Sequence, residues 1–554
     1  MEGTGQQSGY DNGGFVDSHQ ELPRSMNNQE IIASAASLEE GQASQQQRAK
    51  QKSKNKSKVK QKTLSPRPSG CQICILVCSS ITILFSVGML AGGFWMMFDA
   101  IMQSQMEVRE GSTSYTIWKT TPFPLILNLY IWNITNHEEF LNGAKPILQE
   151  CGPYVWKEYH DKQGIEFHRN NTVTYLQQRW WIADEELSGN NSFDDRVYVM
   201  NPIPLSSVWS VRHMPRTAMP FLNSAFNDLN EPAVVFVTVN ELIFTGFHDP
   251  LLDYVQEELV SENGTLHDLL PFLGLPPGLS DYDRFGWFYM RNMSLYYDGV
   301  FNMMTGTDDI RNVGQIDLWN YTKETPFFDS PCNAVTGSAG EYFPPDLKRD
   351  KIVFYSSDLC MSMTMHYQKD VEMDGLKAYR FWGSNNTFAN GSQIPGNECY
   401  CVKGTCAPMG LLNAESCRMG SPAFISFPHY FNADPFLLEQ IEGLSPEEEK
   451  HAFIMDLIPE TGIPINVKAR MQINMRVTPY PGGKKGKIDI LEKVPDIYLP
   501  MIWFEEFAEV PEDMIGQLKA LQFIQTTPTI TICFSVTLLL GLGMMAYLIY
   551  ARRK

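Results

Sequence analysis

Hydrophobic and polar positions along this chain fall into three regimes. Ile73–Phe98 (ICILVCSSITILFSVGMLAGGFWMMF) and Thr529–Tyr550 (TITICFSVTLLLGLGMMAYLIY) are continuous apolar runs without a single charge. Each meets the ~20 residues an α-helix needs to cross a bilayer, and each is longer and more uniform than a buried core helix. About seventy polar residues precede the first run, so it reads as an uncleaved signal anchor. Between the runs the pattern shifts to period two. Val467, Ala469, Met471, Ile473, Met475 and Val477 alternate with Lys468, Arg470, Gln472, Asn474 and Arg476, which predicts a half-buried strand. PYPGGKKGK then predicts a turn, and KIDILEKV a returning strand. PLILNLYIW from Pro124, VVFVTVNELIF from Val234 and KIVFY from Lys351 predict further strands. Helical signals are confined to Pro250–Val260 and a stretch around Pro435–Glu442. The third regime, Met1–Gly70, is rich in Gln, Ser, Asn and Gly with few aromatics, which predicts disorder.

The chain therefore divides into a tail (1–70), a first span (71–98), a large domain (99–527), a second span (528–550) and a closing tail (551–554). Charge orients these parts. The first seventy residues carry ten Lys/Arg against seven acids, with a lysine at every second position from Lys50 to Lys62. The last residues add Arg552, Arg553 and Lys554. Basic flanks at both outer ends predict cytosolic termini and an external domain between the spans. The whole chain is −19, so the part between these basic ends carries −25. Such acidity weighs against nucleic acid as a partner. Next to a span, the Lys-rich run suits anionic inner-leaflet lipid. Cys71, Cys74 and Cys78 at the cytosolic edge of the first span are candidates for S-acylation.

An external domain should carry sugars and paired cysteines. Asn-X-Ser/Thr sequons begin at Asn133, Asn170, Asn190, Asn263, Asn292, Asn320, Asn385 and Asn390, none with a central proline. Asn55 also matches but falls in the cytosolic tail. Seven cysteines lie outside: Cys151, Cys332, Cys360, Cys399, Cys401, Cys406 and Cys417. The last six form a local group with fifteen possible pairings. A zinc site on Cys399, Cys401, Cys406 and Cys417 is the rival reading, disfavoured by an oxidising compartment. Cys151 is left over as a free thiol or an intermolecular partner, and its apolar context CGPYVW favours a buried thiol. Chemistry is otherwise sparse. The chain holds no Walker loop, GxSxG elbow or HExxH helix, so neither an enzyme nor a cofactor is predicted.

Several longer blocks carry a family likeness. They are VTVNELIFTGFHDPLL, RFGWFYMRNMSLYYDGVFNMMTGTDDIRNVGQIDLWN, FPPDLKRDKIVFYSSDLC, CRMGSPAFISFPHYFNADP and ETGIPINVKARMQINM. Together with the two spans, they resemble the class B scavenger receptor family. That family includes the fatty acid translocase, the high-density-lipoprotein receptor, the lysosomal integral membrane protein and insect epithelial and sensory-neuron membrane proteins. The resemblance covers nearly all of 71–550, and only the long N-terminal tail departs from it. It implies an α+β fold: a mainly antiparallel β-barrel-like ectodomain with an internal hydrophobic tunnel and a helical apex, anchored by two transmembrane helices. It also implies the disulfides Cys332–Cys399, Cys360–Cys417 and Cys401–Cys406.

The implied function is a receptor that binds lipid or lipoprotein-type ligands and passes lipid through the tunnel toward the bilayer. Partners would be a fatty acid, sterol, carotenoid or phospholipid, or a protein at the apex. From Ser206 to His267 the basic residues are Arg212 and Arg216 alone. The acids there are Asp228, Glu231, Glu241, Asp249, Asp253, Glu257, Glu258 and Glu262. This predicts an apex that does not select polyanions. The plasma membrane is the expected location, since the closing ARRK carries no evident sorting signal. The alternatives are a lysosomal or endosomal receptor for a luminal protein and, more remotely, a two-span ligand-gated channel.

Overall fold

The computed structural model describes residues 70–214, 217–260, 283–508, 510–526 and 528–553. The N-terminal tail, Arg216, Glu262 and Asn263 lie outside the described residues.

The first apolar run is helical over Gly70–Gly88 and Phe94–Met106, joined by a π-helical segment Met89–Gly93. The irregularity falls at Gly92, whose φ of 112° only glycine adopts freely. The helix does not stop at Phe98, the expected end of the span. Asp99 marks a departure from apolar composition, yet nothing in IMQSQM breaks a helix. The helix that carries the apolar run therefore extends over Gln72–Met106, 35 residues. At ~1.5 Å per residue this far exceeds the ~30 Å hydrocarbon core. The second run forms the helix Thr529–Arg553. The two helices pack together, with Ser86 Oγ 2.9 Å from Thr537 Oγ1. A Cβ at Gly541 would sit 2.9 Å from the Ile83 side chain, so glycine permits the close approach.

Between them lie fifteen described strands. In chain order, β1 is Leu125–Ile134, β2 Leu148–Phe167, β3 Thr172–Ala183, β4 Arg196–Met200 and β5 Val234–Thr238. β6 is Val300–Met304, β7 Ile316–Trp319, β8 Lys351–Ser356, β9 Met361–Met373 and β10 Leu376–Trp382. β11 is Leu412–Asn413, β12 Ala423–Ser426, β13 Ile454–Leu457, β14 Pro464–Val477 and β15 Ile497–Ala508. Thirteen form one antiparallel sheet in the order β7-β6-β3-β2-β1-β15-β14-β13-β10-β9-β8, with β11 and β12 attached beside β14; β4 and β5 pair separately. The sheet curls until its outer strands meet a shared segment. Ile316 N donates to Gly337 O (2.8 Å) on the β7 side, and Ser338 N donates to Val353 O (2.9 Å) on the β8 side. The expected β-barrel-like architecture is thus present and nearly closed.

Register identifies the inward face. Leu127, Leu129 and Ile131 on β1 stand opposite Glu506, Phe504 and Ile502 on β15. Ala469, Met471 and Ile473 on β14 stand opposite the same three from the other side. Ile473 and Phe504 pack both with the Leu127–Trp181 cluster of β1–β3 and with the Met363–Phe381–Leu457 cluster of β8–β10 and β13. Apolar side chains from both halves of the sheet therefore meet on this face. Each such fully buried Leu, Ile or Phe contributes roughly 1.5–3 kcal/mol.

Three expectations are corrected. The alternation predicts a half-buried β14, but Arg470, Gln472 and Asn474 are buried as deeply as Met471. The β12 strand and the segment 428–452 cover that side. Arg470 donates to the carbonyls of Glu449 and Ala452, and Gln472 accepts from His429 N. Alternation shows which side of a strand is apolar, and not whether the other side is left open. The strand expected over Val234–Phe244 ends at Thr238, and Glu241–Thr245 is helical. The cause is a capping box: Glu241 N donates to Thr238 Oγ1 (3.2 Å), and Thr238 N to Glu241 Oε2 (2.9 Å). Finally, KIDILEKV does not return as a strand; β15 begins only at Ile497. Asn223 and Asn227 hold Asp489 through its Oδ2 (both 2.9 Å), and Ile488 and Leu491 are buried beneath them.

Candidate functional site

Where β3, β2, β1 and β15 run side by side, the inward face changes from apolar to charged. Glu158 and His160 project from β2, and Arg179 on β3 is the register partner of His160. Glu506 comes from β15, one turn of the pleat beyond Phe504. The loops add Arg291, Asp298, Asp358 and Arg418. Arg179 donates to Asp298 (2.5 Å) and Asp358 (3.2 Å) and lies 3.6 Å from Glu158. Arg291 donates to Asp358 at 2.7 Å, and Arg418 donates to the Asp358 carbonyl. His160 Nε2 is 2.7 Å from Glu158 Oε1. Three arginines thus face four carboxyls, mostly out of bulk water.

Burial sets the electrostatics here, and the partners decide its sign. Burial alone would raise the Asp358 carboxyl, but Arg291, Arg179 and Arg418 hold it well below the usual range. Glu158 is likewise held down against its burial by His160 and Arg179. Glu506 has no arginine of its own. Burial and then the Glu158 charge push it up to about 8. Glu158, His160 and Glu506 each bring a ligand atom within 4.8 Å of one another, the spacing a divalent cation requires. Arg179 beside Glu158 sets a fixed positive charge against such an ion.

The described apex consists of the helices Pro202–Val211, Ala218–Leu229 and Pro250–Val260, of which the sequence pattern signalled only the last. Its charge differs from the expectation. Glu231 and Asp249 are buried, both accepting from Asn201 Nδ2 (3.0 and 2.8 Å) and from Leu251 N (3.1 and 3.0 Å). They tie β5 to the start of the last helix and leave Asp228, Asp253 and Glu257 as the described exposed acids. The GGKKGK turn lies against this region, since a Cβ at Gly486 would meet Met219 at 2.8 Å. Exposed Lys484 and Lys487 therefore flank an apex in which a count over Ser206–His267 found Arg212 and Arg216 as the basic residues.

A second polar group lies on the outward side of β15. His429 Nε2 donates to Glu150 (2.6 Å), which also accepts from Trp503 Nε1 (2.8 Å), and His429 stacks on His451 at 4.0 Å. His429 and Tyr430 both have left-handed backbones (φ 53° and 57°), held by Ser445 N on His429 Nδ1 and by the Tyr430 hydroxyl on Tyr498 O. Burial and the neighbouring His429 lower His451 to about 3. This group fastens the covering segment to the barrel. A surface cleft of about 610 Å³ opens nearby, between Cys406–Met409, Asp434–Phe436 and Arg476–Tyr498.

The six clustered cysteines form Cys332–Cys399, Cys360–Cys417 and Cys401–Cys406, with Cα separations of 5.7, 6.2 and 4.2 Å. Cys360–Cys417 joins the β8–β9 turn to the loop 399–417, Cys332–Cys399 ties the β7–β8 connection to the same loop, and Cys401–Cys406 closes a turn within it. Cys151 is free and only half-buried on β2, opposite Ile131, rather than fully enclosed. Of the sequon asparagines, Asn170, Asn190, Asn292, Asn320 and Asn385 are exposed; Asn133 is half-buried and accepts from Tyr198 N. Asn390 is 2% exposed, and its amide nitrogen donates to Ala407 O at 2.7 Å. A glycan at Asn390 would need the nitrogen that the fold uses internally. Asn263 lies outside the described residues. Cys74 and Cys78 are exposed on the first apolar helix, four residues apart on one face; the Cys71 side chain lies outside the described set.

Comparison with known proteins bears on this arrangement. Residues 76–551 match the CD36 family. The chain is 33% identical to Protein peste of Drosophila melanogaster over 453 residues, which is 80% of this chain and 77% of that protein. It is 32% identical to scavenger receptor class B member 1 of Sus scrofa, covering 72% and 74% respectively. It is 30% identical to sensory neuron membrane protein 2 of Ostrinia furnacalis, covering 80% and 86%.

Proposed function

The chain belongs to the CD36 family, and we propose that it is a membrane receptor that takes lipid or lipid-carrying ligands at its apex and passes lipid through the β-domain toward the bilayer. The observation that carries this reading is the apolar inward face, where Leu129, Ile131, Met471, Ile473, Ile502 and Phe504 line neighbouring strands of a nearly closed sheet. A lipid chain in water costs about 0.8 kcal/mol per exposed CH₂, and a dry conduit removes that exposure. The two apolar helices at its ends keep such a conduit at the bilayer surface.

In this reading both termini are cytosolic and the domain between the spans is external. The exposed sequons carry N-glycans, and Cys71, Cys74 and Cys78 are sites of S-acylation. The plasma membrane is the favoured location. A protein ligand is the second reading, supported by Phe221 and Tyr254, which stand 65% and 41% exposed on the apex helices. Uptake of fluorescent fatty acid, sterol, carotenoid and phospholipid into cells expressing the full chain tests the conduit. Uptake above control cells for at least one class is expected. Uptake equal to control for all four, with the protein at the surface, overturns it.

A further inference from the structure

The surface cleft of about 610 Å³ lies outside the sheet and has no part in the conduit. Arg476 in its wall continues the outward series Arg470, Gln472 and Asn474 of β14, and Tyr498 is its register partner on β15. The facing walls are the stretch after the Cys401–Cys406 turn and the start of the helix Phe436–Glu439. These two walls are fixed to each other. Asp434 N donates to Met409 O (3.0 Å), and a Cβ at Gly410 would lie 2.4 Å from that of Ala433. Arg476 is the cation among the lining residues, and it is already engaged, 2.7 Å from Asp496 and 4.3 Å over the Tyr498 ring. The acceptors are not. Asp434 takes Phe436 N on one carboxylate oxygen (3.1 Å) and forms no ion pair among the described residues. The amide oxygen of Gln440, also in the lining, is closed from bulk water and has no hydrogen-bond partner. A buried acceptor without a donor is an exception that calls for a cause.

We propose that this cleft binds a primary ammonium group on an aliphatic stem, carried either by a free alkyl diamine or by a lysine side chain of a partner protein. Its volume falls within the ~300–1,000 Å³ of small-molecule sites. Two carboxylates, Asp434 and Asp496, against one guanidinium give the lining a net negative charge. An ammonium has three donors and no acceptor, so one group can serve both Asp434 and the Gln440 oxygen. A quaternary ammonium would match the charge of Asp434 but leave Gln440 without a donor. An anion would have to take Arg476 from Asp496. The stem would rest on Met409 and on Phe436, which stands 37% exposed, and the Phe436 ring attracts a cation over its face.

The test is a ligand-observed NMR titration of the full chain in detergent micelles. The probes are cadaverine, N-acetyl-lysine methylamide, its norleucine counterpart, which keeps the stem without the amine, and choline. Wild type should bind at least one of the two amines about ten-fold more tightly than the norleucine probe or choline. Binding of cadaverine alone names a free amine as the source, and binding of the lysine probe names a protein partner; either result upholds the site. Asp434→Asn, which keeps an acceptor for Phe436 N, should bring the amine-to-norleucine ratio close to one. Gln440→Leu should lower that ratio about three-fold and leaves the Asp434 turn untouched. Each ratio is read within one protein, so a variant that merely unfolds loses both ligands and does not mimic the expected result. Equal binding of amine and norleucine probes, choline binding as tight as the amines, or an unchanged ratio in both variants overturns the assignment. So does the absence of binding by any probe. None of these outcomes touches the conduit, which lipid uptake tests separately.

Discussion

Arg212 and Glu415 meet across 203 residues of sequence, one guanidinium nitrogen lying 2.8 and 2.9 Å from the two carboxylate oxygens. The guanidinium also stacks on Trp209 at 3.8 Å, and Lys403 donates to the same carboxylate. The pair ties an apex helix to the loop that the disulfides brace. Burial would raise Glu415, but Arg212, Trp209 and Lys403 hold it below the usual carboxylate range. Removing the arginine leaves a buried carboxylate with one partly exposed lysine. Arg212→Ala is expected to cost about 3 kcal/mol, and Glu415→Gln less. Urea unfolding of the full chain in micelles, followed by tryptophan fluorescence, reads both.

Acidification should act oppositely on two parts of the domain. His451 sits well below its unfolded value, so its stabilising neutral form is lost as pH falls from ~6.5 toward 3; at pH 5 this costs about 2 kcal/mol. Glu231 is raised to about 9 by burial and by Asp249, so the fold must keep it protonated while the unfolded chain ionises it. That cost disappears as pH falls from ~9 toward ~4.5. Hydrogen exchange at pH 7.5 and 5, corrected for intrinsic rate, should show greater protection of 250–257 and less of 428–452 in acid. Glu231→Gln should flatten the first response alone.

Glycan occupancy should follow exposure. Asn→Gln at 170, 190, 292, 320 and 385 should each increase electrophoretic mobility by one glycan. Asn390→Gln should not. Instead it should lower the melting temperature, because Ala407 O loses its donor and the amide that Ser392 bonds is displaced. A mobility shift at Asn390 would mean that the 390–407 contact forms only after, or without, glycosylation there.

Cys360→Ser with Cys417→Ser opens a link spanning 57 residues. Chain entropy alone puts the loss at about 4 kcal/mol. Non-reducing peptide mapping of the double variant should still show Cys332–Cys399 and Cys401–Cys406. Reshuffling of those pairs would mean that the loop 399–417 is organised by the missing bond rather than by Arg212 and its other contacts.

The spans, β1, β8 and β14 were legible because their patterns are local and long. The helices Pro202–Val211 and Ala218–Leu229 were not, since PIPLSS and AMPFLN begin with proline-rich or mixed sequence and owe their order to packing against Ile488 and Leu491. Thr238 and Glu241 did carry a readable signal, the Thr-x-x-Glu spacing, but it was masked by the apolar run around them. The charged site was invisible for another reason. Glu158, Arg179, Asp358 and Glu506 are far apart in sequence, and each resembles an ordinary surface charge until register turns it inward. The same limit applies to the apex, where Lys484 and Lys487 arrive from a connection more than two hundred residues away.

The seam at Gly337–Ala339 has a consequence for how this protein tolerates crowding. A large antiparallel sheet ordinarily ends in two rows of unpaired amides that a neighbouring chain can extend. Here one short segment bonds to both edges, accepting from Ile316 N of β7 on one side and from Tyr355 N of β8 on the other. A Cβ at Gly337 would lie 2.4 Å from Val353 O, and its backbone has φ +87°, so no other residue closes that gap without displacement. A substitution there would do more than loosen a barrel. It would give two neighbouring receptors, tethered in the same membrane, edges through which to polymerise.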